Sequence, residues 1–297
     1  MVHETRFARA GDLRMAHWRA GRVGAPVVVC LHGWPETKLI WERAIDPLAD
    51  AGFDVIVPDL RGFGETDPAP DGFHDVVSHA SDVAALVFDT LGCATATLIG
   101  GDLGGPVAQE VALRHPDRVE GLVLFNCPLP FDKERMAGLR TRAPRETADY
   151  YVRQGTDADA LAAELPDPAA RRAYISRFYG DRNWAHPGAF TPEDVMRHVE
   201  PFADATRLRA TFGNYEAAFD ATKRRERPMF GPNDIHEVLV MFGTSDAVIY
   251  PDFDQMAAVV FSRVWKSVRI DGCGHFVPWE QPRRFTEETV SFLSRRR

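Results

Sequence analysis

Leu98-Ile99-Gly100-Gly101-Asp102-Leu103-Gly104-Gly105 reads as a strand that breaks at glycine, sets one acid on a tight turn and runs into the apolar start of a helix. This is the layout G-x-S-x-G of a nucleophile elbow, with aspartate in the place of serine. Small residues around Asp102 let strand and helix approach closely while the turn holds a strained backbone. A carboxylate is ionised near neutral pH and needs no base to activate it. It suits attack on a saturated carbon, because the resulting ester can be hydrolysed, whereas a serine would end as an ether. Taken alone, the pattern also fits an aspartate capping a helix N-terminus. The rest of the chain decides between the two.

On both sides of the elbow, short apolar runs alternate with helical spacing. The run at 27–31 has the continuous apolar character of a strand buried on both faces, and 119–125 reads as another buried strand. Residues 53–57, 95–99, 238–242 and 264–270 read as further strands, and 13–19 as an early antiparallel strand. Helical patterns occupy 76–91, the stretch from the elbow to about residue 114, 253–260 and 282–293. This β-α-β rhythm predicts a mostly parallel sheet flanked by helices, joined by right-handed crossovers. The rhythm stops between 129 and 233, where the chain is helical, charged and punctuated by proline. The expectation is therefore an α/β core made of 1–128 and 234–297, with 129–233 inserted as an all-helical cap.

With 297 residues, 45% apolar and 26% charged, the chain has the composition of a globular enzyme-sized protein. Its net charge of −8 argues against nucleic acid as a partner. No run approaches 18 apolar residues and the N-terminal residues are polar, so no membrane association and a cytoplasmic location are expected. Cys30, Cys93, Cys127 and Cys273 have no metal or redox spacing and read as small buried hydrophobes of a reducing compartment. No metal and no cofactor is implied.

Three more motifs fall at strand ends, where open α/β sheets place their ligand sites. His32-Gly33-Trp34-Pro35 follows the first buried strand, and a sharp turn there can aim the Trp34 backbone N–H into the same crevice as that of Leu103, giving an oxyanion hole. Asp246 lies in Phe242-Gly243-Thr244-Ser245-Asp246, just past another strand, and His275 lies in Asp271-Gly272-Cys273-Gly274-His275-Phe276 after the last. Each motif alone is an ordinary loop. Together they give the chain order nucleophile, acid, histidine.

On these motifs, and on the segment Asp59-Leu60-Arg61-Gly62-Phe63-Gly64-Glu65-Thr66-Asp67, the whole chain resembles the α/β-hydrolase superfamily, within it the aspartate-nucleophile branch of epoxide hydrolases and dehalogenases. One departure is Gly101, where the branch commonly has histidine before the nucleophile. Haloalkane dehalogenases usually follow the aspartate with a tryptophan that holds the halide, and fluoroacetate dehalogenases with arginines; here Leu103-Gly104-Gly105-Pro106 supplies neither. Epoxide hydrolases use two cap tyrosines as acids. Five of the six tyrosines (Tyr150, Tyr151, Tyr174, Tyr179, Tyr215) lie in the expected cap. Tyr215 resembles the second of the pair and Tyr151 the first, with Tyr150 a close competitor.

The resemblance thus implies hydrolysis of an epoxide to a vicinal diol through a covalent hydroxyalkyl ester on Asp102. His275, oriented by Asp246, would activate water, Tyr151 and Tyr215 would receive the ring oxygen, and the Trp34 and Leu103 N–H groups would hold the oxyanion. Trp34, Phe125, Trp184 and Phe276 are expected to line the substrate site, which suggests an apolar epoxide. Water is the second reactant, and self-association to a homodimer is left open. The alternatives are a haloalkane-type dehalogenase with an unusual halide site and a non-catalytic small-molecule-binding protein on the same fold.

Overall fold

The computed structural model describes residues 3–142, 145–180 and 184–295, with the backbone alone at 145–148. Eight strands form one sheet: β1 (Arg6–Ala10), β2 (Leu13–Ala20), β3 (Val27–Leu31), β4 (Asp54–Pro58), β5 (Ala96–Gly101), β6 (Val119–Phe125), β7 (Val238–Gly243) and β8 (Val264–Ile270). Their order is β1-β2-β4-β3-β5-β6-β7-β8. The β1–β2 and β2–β4 pairs are antiparallel, and every pair from β4 to β8 is parallel. The chain reverses direction across the sheet at β3, so the loops after β3 and β5 open side by side at the strands' carboxyl ends. That crevice is where such sheets bind ligands.

The interior strands β3 to β7 are buried almost end to end, as their unbroken apolar runs require. Burial on both faces comes from helices α1 (Ile45–Asp50), α2 (Val76–Ala84), α3 (Gly104–Arg114), α9 (Phe253–Val260) and α11 (Pro282–Ser294). Two local expectations need correction. The segment expected as one helix over 76–91 ends as α2 at Ala84 and continues as a wider π-type turn over Ala85–Thr90. The edge strand β1 went unread because three of its five residues are exposed and its register is set by pairing with β2 rather than by an apolar run.

Between β6 and β7 the described residues form helices and no strand of the sheet: α4 (Arg145–Thr156), α5 (Ala158–Ala163), α6 (Pro168–Tyr179), α7 (Pro192–Val199) and α8 (Ala205–Phe219). This inserted segment, helices and following loop together, meets the sheet end through polar ties. Arg197 pairs with Glu42 at 2.6 and 3.0 Å, Arg207 donates to the Thr66 carbonyl at 2.7 Å, and the Arg225 N–H donates to Asp75 at 2.7 Å. The exposed pair contributes little to stability and serves chiefly to fix orientation. A short helix, α10 (Val277–Glu280), follows the last sheet loop. All four cysteines are buried and free. Among the described residues no helix is long and apolar enough to cross a membrane.

Candidate active site

Asp102 stands at the end of β5 with a positive φ of 42°, a left-handed conformation that costs a non-glycine residue energy and persists because the surroundings hold it. Its N–H donates to the Asn126 carbonyl at 3.1 Å, and its own carbonyl accepts the Gly105 N–H at 3.1 Å as α3 begins. The helix-cap reading fails on geometry, because the Asp102 side chain turns away from α3. Its Oδ1 accepts the Trp34 backbone N–H at 2.8 Å, and its Oδ2 lies 3.4 Å from His275 Nε2. The approach of the two loops leaves no room for a side chain at Gly33, where a Cβ would lie 2.3 Å from that of Asp102.

The turn carrying Trp34 is held from below. His32 Nε2 accepts the Leu60 N–H at 3.0 Å, which leaves the proton on Nδ1 to donate to the Gly33 carbonyl at 2.9 Å. Burial keeps that imidazole neutral by lowering its pKa. Glu36 Oε2 accepts the Gly33 N–H at 2.6 Å, and burial pushes its carboxyl up to about 7. Leu103 begins α3 in helical geometry, where the first N–H groups of a helix have no intrahelical acceptor. The Trp34 N–H thus points at the Asp102 carboxylate, and Leu103 directly follows the nucleophile position at the start of the same helix.

His275 and Asp246 complete the cluster. His275 Nδ1 sits 2.9 Å from Asp246 Oδ2, and the imidazole is almost fully buried. Burial opposes charge on the ring, but the Asp246 and Asp102 carboxylates outweigh it and hold the His275 pKa well above the usual histidine value. Asp246 is saturated: Oδ1 accepts the Val248 and Ile249 N–H groups at 2.6 and 3.2 Å, and Oδ2 also accepts Asn126 Nδ2 at 2.6 Å. Each oxygen of this buried carboxylate thus has two donors, as a charge in that position requires.

Aromatic rings cover the cluster. The Trp34 ring is stacked on Tyr150 at 5.4 Å and edge-on to Tyr215 at 5.5 Å and Phe178 at 4.6 Å. The hydroxyls of Tyr150 and Tyr215 are hydrogen-bonded to each other. Burial, with the Asp102 charge adding to it, pushes both phenols well above their usual range; the shared hydrogen bond lowers the Tyr150 value and raises that of Tyr215, and both keep their protons. Tyr151 is not in this group. It is 39% exposed and its ring stacks on Phe219. On α4 the two neighbours point about 100° apart, and it is Tyr150 that faces Trp34. The Trp34 indole N–H is committed to Thr211 Oγ1 at 3.0 Å on α8.

Of the four residues expected to line a substrate, two belong to this chamber. Trp34 does, and so does Trp184, whose ring lies 5.0 Å from Tyr150 and 5.1 Å from His275. Phe125 does not. It points behind the elbow, packing on Trp41 and Phe285, and occupies the space in which a Cβ on Gly101 would lie 2.1 Å from its ring. The glycine in the usual histidine place is thereby explained: Phe125 fills the volume. Phe276 flanks His275 but stacks on Tyr179 at 5.0 Å, among Phe190 and the other rings next to the chamber.

Four residues of the site were not singled out from the sequence. Glu36 and Asn126 could have been flagged as polar residues in otherwise apolar turn segments. Asn126 is itself left-handed, with φ of 37°, and its Oδ1 accepts the Gly243 N–H at 2.9 Å. Thr211 and Glu280 carry no pattern that distinguishes them from surface residues.

A family model described as alpha/beta hydrolase fold matches residues 26–282. Epoxide hydrolase A of Mycobacterium tuberculosis is 27% identical, the alignment covering 97% of each chain. A haloalkane dehalogenase of Mycobacterium marinum is also 27% identical, over 94% of this chain and 89% of that one. The solved structure of the epoxide hydrolase CorEH without ligand superposes with a TM-score of 0.84 at 26% identity, covering 99% of both chains. Sequence similarity of this kind spans both chemistries of an aspartate nucleophile. With its sheet order, its elbow and its family match, the chain belongs to the alpha/beta hydrolase fold family.

Proposed function

We propose that the protein hydrolyses an apolar epoxide to a vicinal diol through an ester on Asp102. The observation that carries this reading is the pair of mutually bonded, protonated hydroxyls of Tyr150 and Tyr215, buried next to the Asp102 carboxylate. An epoxide needs a nucleophile at carbon and a proton at oxygen, and these buried groups supply both side by side. The first acid is therefore Tyr150 in place of Tyr151.

The steps follow from the contacts. Oδ1 of Asp102, fixed by the Trp34 N–H, becomes the ester carbonyl oxygen, and Oδ2 attacks a ring carbon. The C–O bond breaks and the ring oxygen takes a tyrosine proton. Alkylation removes the Asp102 charge, which is one of the two carboxylates that hold a proton on His275. That proton passes to the tyrosinate, and the neutral imidazole, oriented by Asp246, can now take a proton from water as it attacks the ester carbonyl. The Trp34 and Leu103 N–H groups hold the oxyanion. On collapse the leaving oxygen takes the proton from His275, the diol departs, and the new Asp102 carboxyl returns a proton to His275.

His275→Gln should alkylate but not hydrolyse. Intact-protein mass spectrometry with styrene oxide is expected to show one added substrate mass, mapped to Asp102. An adduct on another residue, or full turnover by the variant, would refute the assignment. Haloalkane dehalogenation is the second reading. One feature favours it: the buried Trp184 indole N–H has no hydrogen-bond acceptor among the described residues and lies against the chamber. Against it, the Trp34 indole is already bonded and Leu103 offers no side-chain donor, so Trp34 supplies no second free indole N–H to share a halide with that of Trp184. Halide release from haloalkanes that matches or exceeds epoxide turnover would decide for that reading.

A further inference from the structure

The loop that carries His275 is held by an acid outside the triad. Glu280 lies one turn further on, at the end of α10. Its Oε2 accepts the Gly274 N–H at 2.7 Å and its Oε1 the Phe276 N–H at 2.8 Å, so one carboxylate grips the backbone on both sides of His275. The N–H between them, that of His275 itself, donates at 2.7 Å to the carbonyl of Trp184, a residue of the segment between α6 and α7. The same Oε2 also accepts the N–H of His186 at 2.8 Å. Three consecutive backbone donors are thus shared alternately between Glu280 and the cap, and Glu280 holds the cap segment as well. A further tie runs between His186 Nδ1 and Ser245 Oγ at 3.2 Å, beside the Asp246 turn.

Only a carboxylate fits this place. Three N–H groups converge on two oxygens, and both oxygens must accept. A glutamine would keep the volume but turn an NH₂ group against one side of the loop, leaving a buried backbone donor unmatched. Burial opposes the charge and raises the Glu280 pKa, while the three N–H bonds and the neighbouring His275 act to retain it.

We infer that Glu280 is a positioning residue that couples the catalytic-histidine loop to the cap segment 184–186, so that His275 is aligned for water activation only while that segment is seated. The inference rests on the ester reading, because His275 acts in the hydrolytic half of the cycle. Its specific consequence is a split between half-reactions: Asp102 and the tyrosines are untouched by Glu280, so alkylation should survive its loss and hydrolysis should not.

The test compares wild type with Glu280→Gln in rapid-quench mass spectrometry using styrene oxide, together with amide hydrogen exchange in the absence of substrate. Adduct formation is expected at close to the wild-type rate, while adduct decay slows by about 10²-fold, the effect of a misplacement near 1 Å. Exchange should quicken in peptides spanning both 272–281 and 184–190. Formation and decay that fall together, decay that is unchanged, or exchange that rises only in 272–281 would each overturn the inference. If wild type gives no adduct on Asp102, the ester reading fails, and the exchange result alone still decides whether Glu280 joins loop to cap. Circular dichroism of Glu280→Gln matching wild type shows that the comparison is between folded proteins.

Discussion

Glu36 should make stability depend on pH in a way that a single substitution removes. Its carboxyl is almost fully buried beside the Gly33 N–H and close to Asp102 and His275, and burial raises its pKa from 4.5 to about 7. The folded chain therefore keeps a proton that the unfolded chain loses across that interval. A group whose folded pKa is raised contributes stability fully below the unfolded value and loses it as pH rises through the folded one. Each pH unit is worth about 1.4 kcal/mol per proton, so the contribution should fall by about 3 kcal/mol between pH 4.5 and 7. Glu36→Gln keeps an acceptor for the Gly33 N–H and cannot titrate. Buried His17 and His74, whose pKa values burial lowers to about 4, act in the opposite direction over much of the same range. The difference between the two proteins cancels them. Urea unfolding at half-unit intervals from pH 4.5 to 7.5 is expected to show wild type losing about 3 kcal/mol relative to Glu36→Gln. Parallel curves, or a difference that grows in the other direction, would refute the reasoning.

Tyr150→Phe should slow alkylation of Asp102 by about 10²–10⁴-fold, the range of a general acid, while Tyr151→Phe stays near wild type; stopped-reaction adduct measurements read both, and the reverse ranking would return the role to Tyr151. Gly101→Ala drives a methyl into the Phe125 ring and should destabilise by about 1–3 kcal/mol in urea unfolding, with Phe125→Leu in the same chain recovering part of the loss; an unchanged midpoint would show the ring can move aside at no cost. Thr211→Val leaves the buried Trp34 indole N–H unmatched and should cost about 1–3 kcal/mol of stability, whereas Thr211→Ser, which retains the hydroxyl, should stay close to wild type. Asp246→Asn should leave adduct formation largely intact and slow its decay, because the imidazole loses the charge that orients it as it becomes cationic; decay at the wild-type rate would mean that another group aligns His275.

What could be read in advance was whatever leaves a pattern along the chain. Strands buried on both faces leave largely apolar runs, so β3 to β7 were legible to within a residue or two, and β8, though partly exposed, followed from the same rhythm, whereas Arg6–Ala10, half exposed at the sheet edge, leaves no such run. Asp102, Asp246 and His275 stood out because each is a polar residue on a glycine-bearing loop directly after a strand, and the fold brings those loop ends together. Facing could not be read. Tyr150 and Tyr151 are adjacent on one helix, and only the position of Trp34 distinguishes them. The same holds for Phe125: in a strand covered on both sides, an apolar residue is equally at home on either face, and the empty volume at Gly101 decided which one it took. Glu36 and Glu280 were invisible for a different reason. Their partners are backbone N–H groups, which every residue has, so no second residue type in the sequence announces the contact.

Trp34 joins the two halves of the site, since its backbone N–H touches Asp102 while its indole is stacked on Tyr150 and bonded to Thr211. An indole held this rigidly is a fluorophore with a fixed orientation in the field of the nucleophile. In the proposed cycle, forming the ester would erase a negative charge beside Trp34, and hydrolysis would restore it. Trp184, against His275, views the same event from the opposite side. On the proposed ester reading, the protein would carry its own optical record of the catalytic cycle, in which emission steps to one level on alkylation and back on release, without any added label.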